Sequence, residues 1–275
     1  MAEAEINGFL TDLAVEKQVS PSTQTQALCA LLFLYRVVLG KEVGELEGLV
    51  RARRRRRLPQ VMTKEEVKSI LGQCSGVDRL VLALLYGTGM RLLEGLRLRV
   101  KDVDFSLNQI TIREGKGGKD RVTMLPASIR EDLRQHLVGV RKLHEADLKE
   151  GFGRVYLPHA LATKYASAAA EWGWQWVFPA ATRSRDPHSG TYRRHHLHER
   201  GVQRVFREAA LEAHLTKPVS CHTLRHSFAT HLLQNGYDIR TVQELLGHRS
   251  VKTTMIYTHV LNRGGRGVQS PMDLL

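Results

Sequence analysis

Cysteine is scarce in this sequence. There are three in 275 residues, Cys29, Cys74 and Cys221, far apart and with no CxxC pair. An odd, sparse set argues against a disulfide-stapled or zinc-framed scaffold and for a reducing compartment, the cytoplasm. Long apolar runs are lacking as well. The stretch from Ala27 to Val38 is broken by Tyr35 and Arg36, and nothing approaches the roughly 18 apolar residues of a membrane-spanning helix. The N-terminus, Met1-Ala2-Glu3-Ala4-Glu5, is acidic, unlike a secretory signal. Acidic residues are few beside basic ones: 28 Asp+Glu against 41 Lys+Arg, a formal net charge of +13. Such a field attracts polyanions, nucleic acid first, although a ribosomal, membrane-surface or heparin-like partner would give the same balance. Hydrophobic residues at 42% and charged residues at 25% are ordinary, so the chain is expected to fold as one large domain or as a large domain with a small one.

Local patterns divide the chain. Glu3 to about Lys17 reads as a helix with Ile6, Phe9, Leu10, Leu13 and Ala14 on one side. Ser20-Pro21 opens a second, which ends near Gly40. Residues 1–48 form a small helical unit, and 49–60, with Arg53, Arg54, Arg55, Arg56 and Arg57 in a row before Pro59, read as a basic linker. That run is either a solvated charge cluster or a strap along a phosphate backbone. From 61 to 275 the reading is mainly helical. Thr63-Lys64-Glu65-Glu66 is a capping box. Helices are expected over Leu80–Tyr86, Ala127–Glu150, Leu161–Ala170, Val202–Ala213, Thr223–Gln234, Ile239–Leu246 and Lys252–Leu261. Gln109–Arg113 and Arg121–Leu125 are two short alternating strands, joined by the glycine-rich turn 115–120. The fold class is therefore mainly α with a small β-hairpin or sheet, an α+β arrangement.

Four constellations carry chemistry. His222-Thr223-Leu224-Arg225 places an imidazole and a guanidinium at i and i+3, on one helix face, where the guanidinium can grip two phosphate oxygens. Leu245-Leu246-Gly247-His248 is followed nine residues later by Tyr257. Arg91 follows Thr88-Gly89-Met90 at the start of a helix, an end that favours anions. Lys116 sits in the hairpin turn between Gly115 and Gly117. Each alone is ordinary: a surface pair, a core tyrosine, a solvated arginine, a turn lysine.

Their order along the chain is not ordinary. Thr88-Gly89-Met90-Arg91-Leu92-Leu93-Glu94, His222-Thr223-Leu224-Arg225-His226-Ser227-Phe228-Ala229-Thr230 and Leu245-Leu246-Gly247-His248 resemble the tyrosine recombinase (phage integrase) family, from about Pro59 onward. The resemblance implies a catalytic domain over 61–275, preceded by a partial helical core-binding (SAM-like) domain. It implies that Arg91, Lys116, His222, Arg225, His248 and Tyr257 are catalytic. Arg91, Arg225 and His248 would stabilise charge on the phosphoryl oxygens, Tyr257 would attack and lose its proton toward His222, and Lys116 would protonate the departing 5′-hydroxyl. A 3′-phosphotyrosine conserves the broken bond's energy, so no cofactor and no metal are expected.

Within the family, one region resembles the integron integrases. An insert at about 160–181 holds Trp172, Trp174 and Trp176, and Arg193-Arg194-His195-His196-Leu197-His198 follows. That likeness implies integration and excision of gene cassettes at attC, a folded single-strand hairpin, and at a duplex attI. Extrahelical bases would meet one or two of the tryptophans, with at least one tryptophan packed inward. His195 or His196 is expected to contact bases or phosphates, and Arg53, Arg54, Arg55 and Arg56 the backbone. His195 and His198 lack the further ligands that a metal would need. The N-terminal unit resembles only the second half of the family's core-binding domain. The tail, Gly264–Leu275, resembles segments that dock on a neighbouring subunit, which implies a tetramer on DNA in a bacterial cytoplasm. Three rivals share these features: an Xer-type or phage integrase acting on duplex sites, a type IB topoisomerase, and a DNA-binding protein without catalysis.

Overall fold

A computed structural model describes residues 2–52, 59–113, 120–157, 161–165, 167–187, 189–258 and 272. It divides the chain into two compact units, Met1–Arg57 and Leu58–Leu275. In the first, α1 (Ala2–Val15) turns Ile6 and Leu10 inward against Val43 and the partly buried Leu28, Leu31, Leu32 and Tyr35. α2 (Pro21–Phe33) opens as its sequence predicts: the Ser20 hydroxyl accepts from the Thr23 amide, and Pro21 takes the first position, where no amide is needed. It runs on into a single π-helical turn, Leu34–Val38. Gln24 is the unit's polar tie. Its amide donates to the carbonyls of Leu10 and Val50, and its oxygen accepts from Ala52.

The second unit begins with α3 (Lys64–Gly72), whose first turn is closed by reciprocal Thr63 and Glu66 bonds. α4 (Gly76–Thr88) buries Leu80, Val81, Leu82, Leu84 and Leu85 and so threads the main core. Gly89 ends it in the left-handed region, at φ 64°. The short α5 (Leu92–Leu96) follows. β1 (Val103–Asp104), β2 (Gln109–Ile112) and β3 (Arg121–Met124) form an antiparallel sheet in that order, with Ile110 opposite Thr123. α6 (Arg130–Lys149) buries Leu133, Leu137 and Val140.

Between α6 and the next long helix the chain builds a separate cluster of Val155, Leu157, Ala168, Ala169 and Trp176. The single helix expected over Leu161–Ala170 is absent. α7 (Leu161–Lys164) is one turn, and Ala168–Ala170 is a 3-10 turn whose alanines bury in that cluster. Tertiary burial here overrides a short helical pattern. β4 (Ser184–Arg185) and β5 (Tyr192–Arg193) pair as a small ribbon. α8 (Glu199–Glu212), α9 (Cys221–Gln234) and α10 (Ile239–Leu246) follow, with α9 packed on α4. The segment from Lys252 starts in α11 (Val251–Thr254) and tightens into a 3-10 turn, Met255–Tyr257; Thr258 is helical again, and 259–261 of the expected helix lie outside the described residues. That turn stacks the buried Thr254 above the buried Tyr257. The outcome is mostly helical, with two small antiparallel sheets.

Candidate active site

Arg91 is the N-cap of α5, and Glu94 organises it. The Glu94 carboxylate accepts from the Arg91 amide at 2.9 Å and from its guanidinium at 2.7 Å. The helix start expected to welcome an anion is therefore already capped by a carboxylate. Arg121, at the head of β3, donates to the same carboxylate through both terminal nitrogens and to the Leu245 carbonyl through Nε. Burial alone would raise the Glu94 carboxyl. The bonds from Arg121 and Arg91 outweigh it and hold the group at about 2.

α9 supplies the next members. Ser220 and Thr223 close its first turn reciprocally, and Leu224 and Phe228 bury beneath it. His222 is exposed, whereas Arg225 is 1% exposed. The Arg225 guanidinium donates to the Gly89 carbonyl at 2.6 Å and to the Leu246 carbonyl, joining the ends of α4 and α10. Gly247, at φ 63°, closes α10 and delivers His248. His248 Nδ1 lies 3.0 Å from the Thr254 hydroxyl. Its ring stacks on Tyr257 at 6.3 Å, with 14° between the planes. Tyr257 is 1% exposed. Its hydroxyl meets Nδ1 of His226, at 3.0 Å, not His222 as expected.

Electrostatics ties these groups together. Burial lowers the basicity of His222, and Arg225 and Arg91 lower it further. Burial with Arg225, Arg91 and Arg121 brings His248 down to about 4. Burial raises the Tyr257 phenol, while Arg225 and Arg91 pull it back toward ionisation. Arg225 itself is lowered by burial and by Arg91 to about 10, still charged at neutral pH. Two guanidiniums thus act on one exposed imidazole, one half-buried imidazole and one buried phenol. That arrangement suits a phosphate and an oxygen nucleophile.

Residues 60–263 match the phage integrase family, and residues 1–45 match the N-terminal SAM-like domain of phage integrases. The chain belongs to the phage integrase family. It is similar to an integrase/recombinase of Escherichia coli, 54% identical over 100% of this chain and 82% of that one. It is similar to the tyrosine recombinase XerD of Agrobacterium fabrum, 33% identical over 94% of this chain and 76% of that one. Among solved structures it resembles the XerH site-specific recombinase bound to difH substrate, a pre-cleavage complex. There the identity is 26% and the TM-score 0.60, over 94% of this chain and 66% of that one. The protein is thus a tyrosine-type recombinase.

The remaining sequence candidates of this phage integrase are scattered. Lys116 and Arg53, Arg54, Arg55 and Arg56 lie outside the described residues. Trp176 is the tryptophan that packs inward, with the Arg99 guanidinium 3.1 Å from its ring centre. Trp174 is half-buried, with the Lys101 ammonium 2.9 Å from its ring centre. Trp172 packs on the main core beside His144. His196 is half-buried, edge-on to Trp176, with Nδ1 2.7 Å from the Leu197 carbonyl. His195 is half-buried, its Nε2 without a hydrogen-bond partner among the described residues. Neighbouring Arg194 is spent on structure, paired through two nitrogens with Asp147.

Sequence reasoning missed three residues of this site. Glu94 and His226 stood inside the quoted motifs, three residues after Arg91 and one after Arg225. Arg121 had no signal beyond heading a strand. Its contacts come from Glu94 and Leu245, 27 and 124 residues away.

Proposed function

We propose that Tyr257 attacks a DNA phosphate and remains joined to the 3′ end of the cut strand. The new Oη–P bond replaces the bond to the 5′ oxygen, so no triphosphate is consumed. Arg91 and Arg225 hold the phosphoryl oxygens as charge builds on them, and His222 and His248 add hydrogen bonds. Lys116 protonates the leaving 5′ oxygen, and a 5′-hydroxyl from a second strand later reverses the attack. One observation carries this reading: Arg225, on the helix of His222, is tied to the carbonyls two residues before Arg91 and His248, and His248 stacks on Tyr257. Arg91, His222 and His248 reach solvent, so a phosphate meets them first, and Tyr257 must turn outward to reach it. The DNA held by the similar XerH recombinase supports DNA as the partner.

The finer reading is exchange of gene cassettes between a folded attC strand and a duplex attI site, by a tetramer on DNA. It is supported by the separate cluster between α6 and α8, which holds Trp176 with Trp174 packed against it. One observation favours the alternative, an Xer-type enzyme acting on duplex DNA. One ring face each of Trp176 and Trp174 carries the Arg99 guanidinium and the Lys101 ammonium, so a flipped base must displace a cation to stack on that face. A nicked suicide attC oligonucleotide, folded as one strand or annealed as duplex, separates these readings. The folded form is expected to trap a covalent adduct that vanishes in Tyr257→Phe, with at least about tenfold less adduct on the duplex. Equal yields would remove the cassette reading alone. Absence of any Tyr257-dependent adduct on either form would remove the nucleophile as well.

A further inference from the structure

Two imidazoles, His226 and His248, lie beside Tyr257, and a third, His222, stands against His226; among the described residues one meets the Tyr257 hydroxyl. His248 lies flat against the phenol, and its Nδ1 is engaged with Thr254. His222 stands edge-on to His226, ring centres 4.5 Å apart, on the exposed side of α9. His222 and His226 are four residues apart and therefore share one helix face, with His226 the inner of the two. His226 Nδ1 is 3.0 Å from the Tyr257 oxygen. At neutral pH the phenol carries its proton and His226 is uncharged; in the tautomer with the ring proton on Nε2, the hydroxyl donates and Nδ1 accepts.

We propose that His226 is a further catalytic residue, the group that takes the Tyr257 proton as the phenolic oxygen attacks phosphorus. This inference rests on Tyr257 being the nucleophile. As the Oη–P bond forms and the P–O5′ bond breaks, the phenolic O–H electrons stay on oxygen and the proton passes to Nδ1. The imidazolium then holds protons on both nitrogens, and Lys116 supplies the proton for the 5′ oxygen. In the rejoining step the imidazolium returns its proton to the departing phenolate. His226 is a weak base, brought down to about 4 by burial, His222 and Arg225. A phosphate seated between Arg91 and Arg225 cancels much of that cationic field, so the proton becomes acceptable when the substrate is in place.

The test measures single-turnover adduct formation on a nicked attC hairpin oligonucleotide at saturating concentration. His226→Ala is expected to slow it about 10²-fold with DNA affinity unchanged. His226→Asn keeps an acceptor but cannot hold the proton, and stays within a few-fold of the alanine variant. Replacing Tyr257 with 3,5-difluorotyrosine, a more acidic phenol, should restore most of the rate in His226→Ala and change the wild type little. A slow His226→Ala enzyme that the fluorinated phenol fails to rescue would mean a structural role and overturn the inference. So would an unslowed His226→Ala enzyme that still forms the Tyr257-dependent adduct, which leaves the nucleophile intact. If the wild type forms no such adduct on the hairpin or on its duplex form, both readings fall. Nitrogen-15 NMR of the free protein gives a readout apart from activity. Nδ1 of His226 should be the unprotonated nitrogen and should shift in Tyr257→Phe; a protonated Nδ1 overturns the inference.

Discussion

At the scale of single residues, burial and charge compete, and the winner differs by group. At Glu94 two guanidiniums defeat desolvation, so the carboxylate stays ionised down to about 2. At His226 and His248 burial and neighbouring cations act together, and both rings fall from 6.5 to about 4. A histidine held neutral in the folded state takes up protons more readily when unfolded. Its contribution to stability is therefore whole above 6.5 and is lost as pH falls toward 4. Glu94 stays ionised throughout that window and does not mask the effect. The melting temperature should drop between pH 7 and pH 4.5, and His226→Gln or His248→Gln should flatten that slope. An unchanged slope in both variants would contradict the burial argument. Arg91, His222, Arg225, His248 and Tyr257 were readable because each lies in a short local motif. The His226 bond was not, since it depends on where a turn 31 residues away sets its phenol.

At the scale of elements, the site is held where helices end. Gly89 closes α4 at φ 64°, and its carbonyl receives Arg225. A Cβ there would sit 2.3 Å from the Phe228 ring. Gly89→Ala combines a left-handed backbone penalty of about 1–2 kcal/mol with an overpacking cost of about 1–3 kcal/mol. Urea unfolding should report a loss of about 3 kcal/mol. Gly139→Ala is the control, in mid-α6 with nothing within 4 Å of the new methyl, and should be neutral or stabilising by up to about 1 kcal/mol. A loss at Gly89 no larger than at Gly139 would argue against this packing. The capping residues of α2 and α3 were plain in the sequence, as were the two strands of the hairpin. α7 came out shorter than its pattern, because Ala168 and Ala169 bury with Val155, Leu157 and Trp176, contacts that periodicity does not see.

At the scale of the whole molecule, the net charge of +13 is the widest signal. Affinity for DNA should fall steeply with salt as condensed counterions are released. If the linker arginines contact phosphates, changing Arg53, Arg54, Arg55 and Arg56 together to glutamine should make the log–log salt slope shallower. The change expected is about 0.9 per lost contact on duplex and about 0.7 on a single strand. A slope that does not change would assign the run to solvent. The two compact units match separate parts of the family, residues 1–45 and 60–263.

The sequence by itself determined the family, the predominance of helix and the candidates Arg91, His222, Arg225, His248 and Tyr257. Local motifs record chemistry that must sit at set spacings on one helix or turn. Only the tertiary structure decided which imidazole meets the tyrosine, that Arg121 and Arg91 share Glu94, and that Arg99 and Lys101 each lie over one face of a tryptophan ring. Those outcomes are set by burial and by pairing between segments far apart in the chain, where no local spacing constrains the partners. For Tyr257, packing decided that the side chain rests 1% exposed, with its hydroxyl against His226.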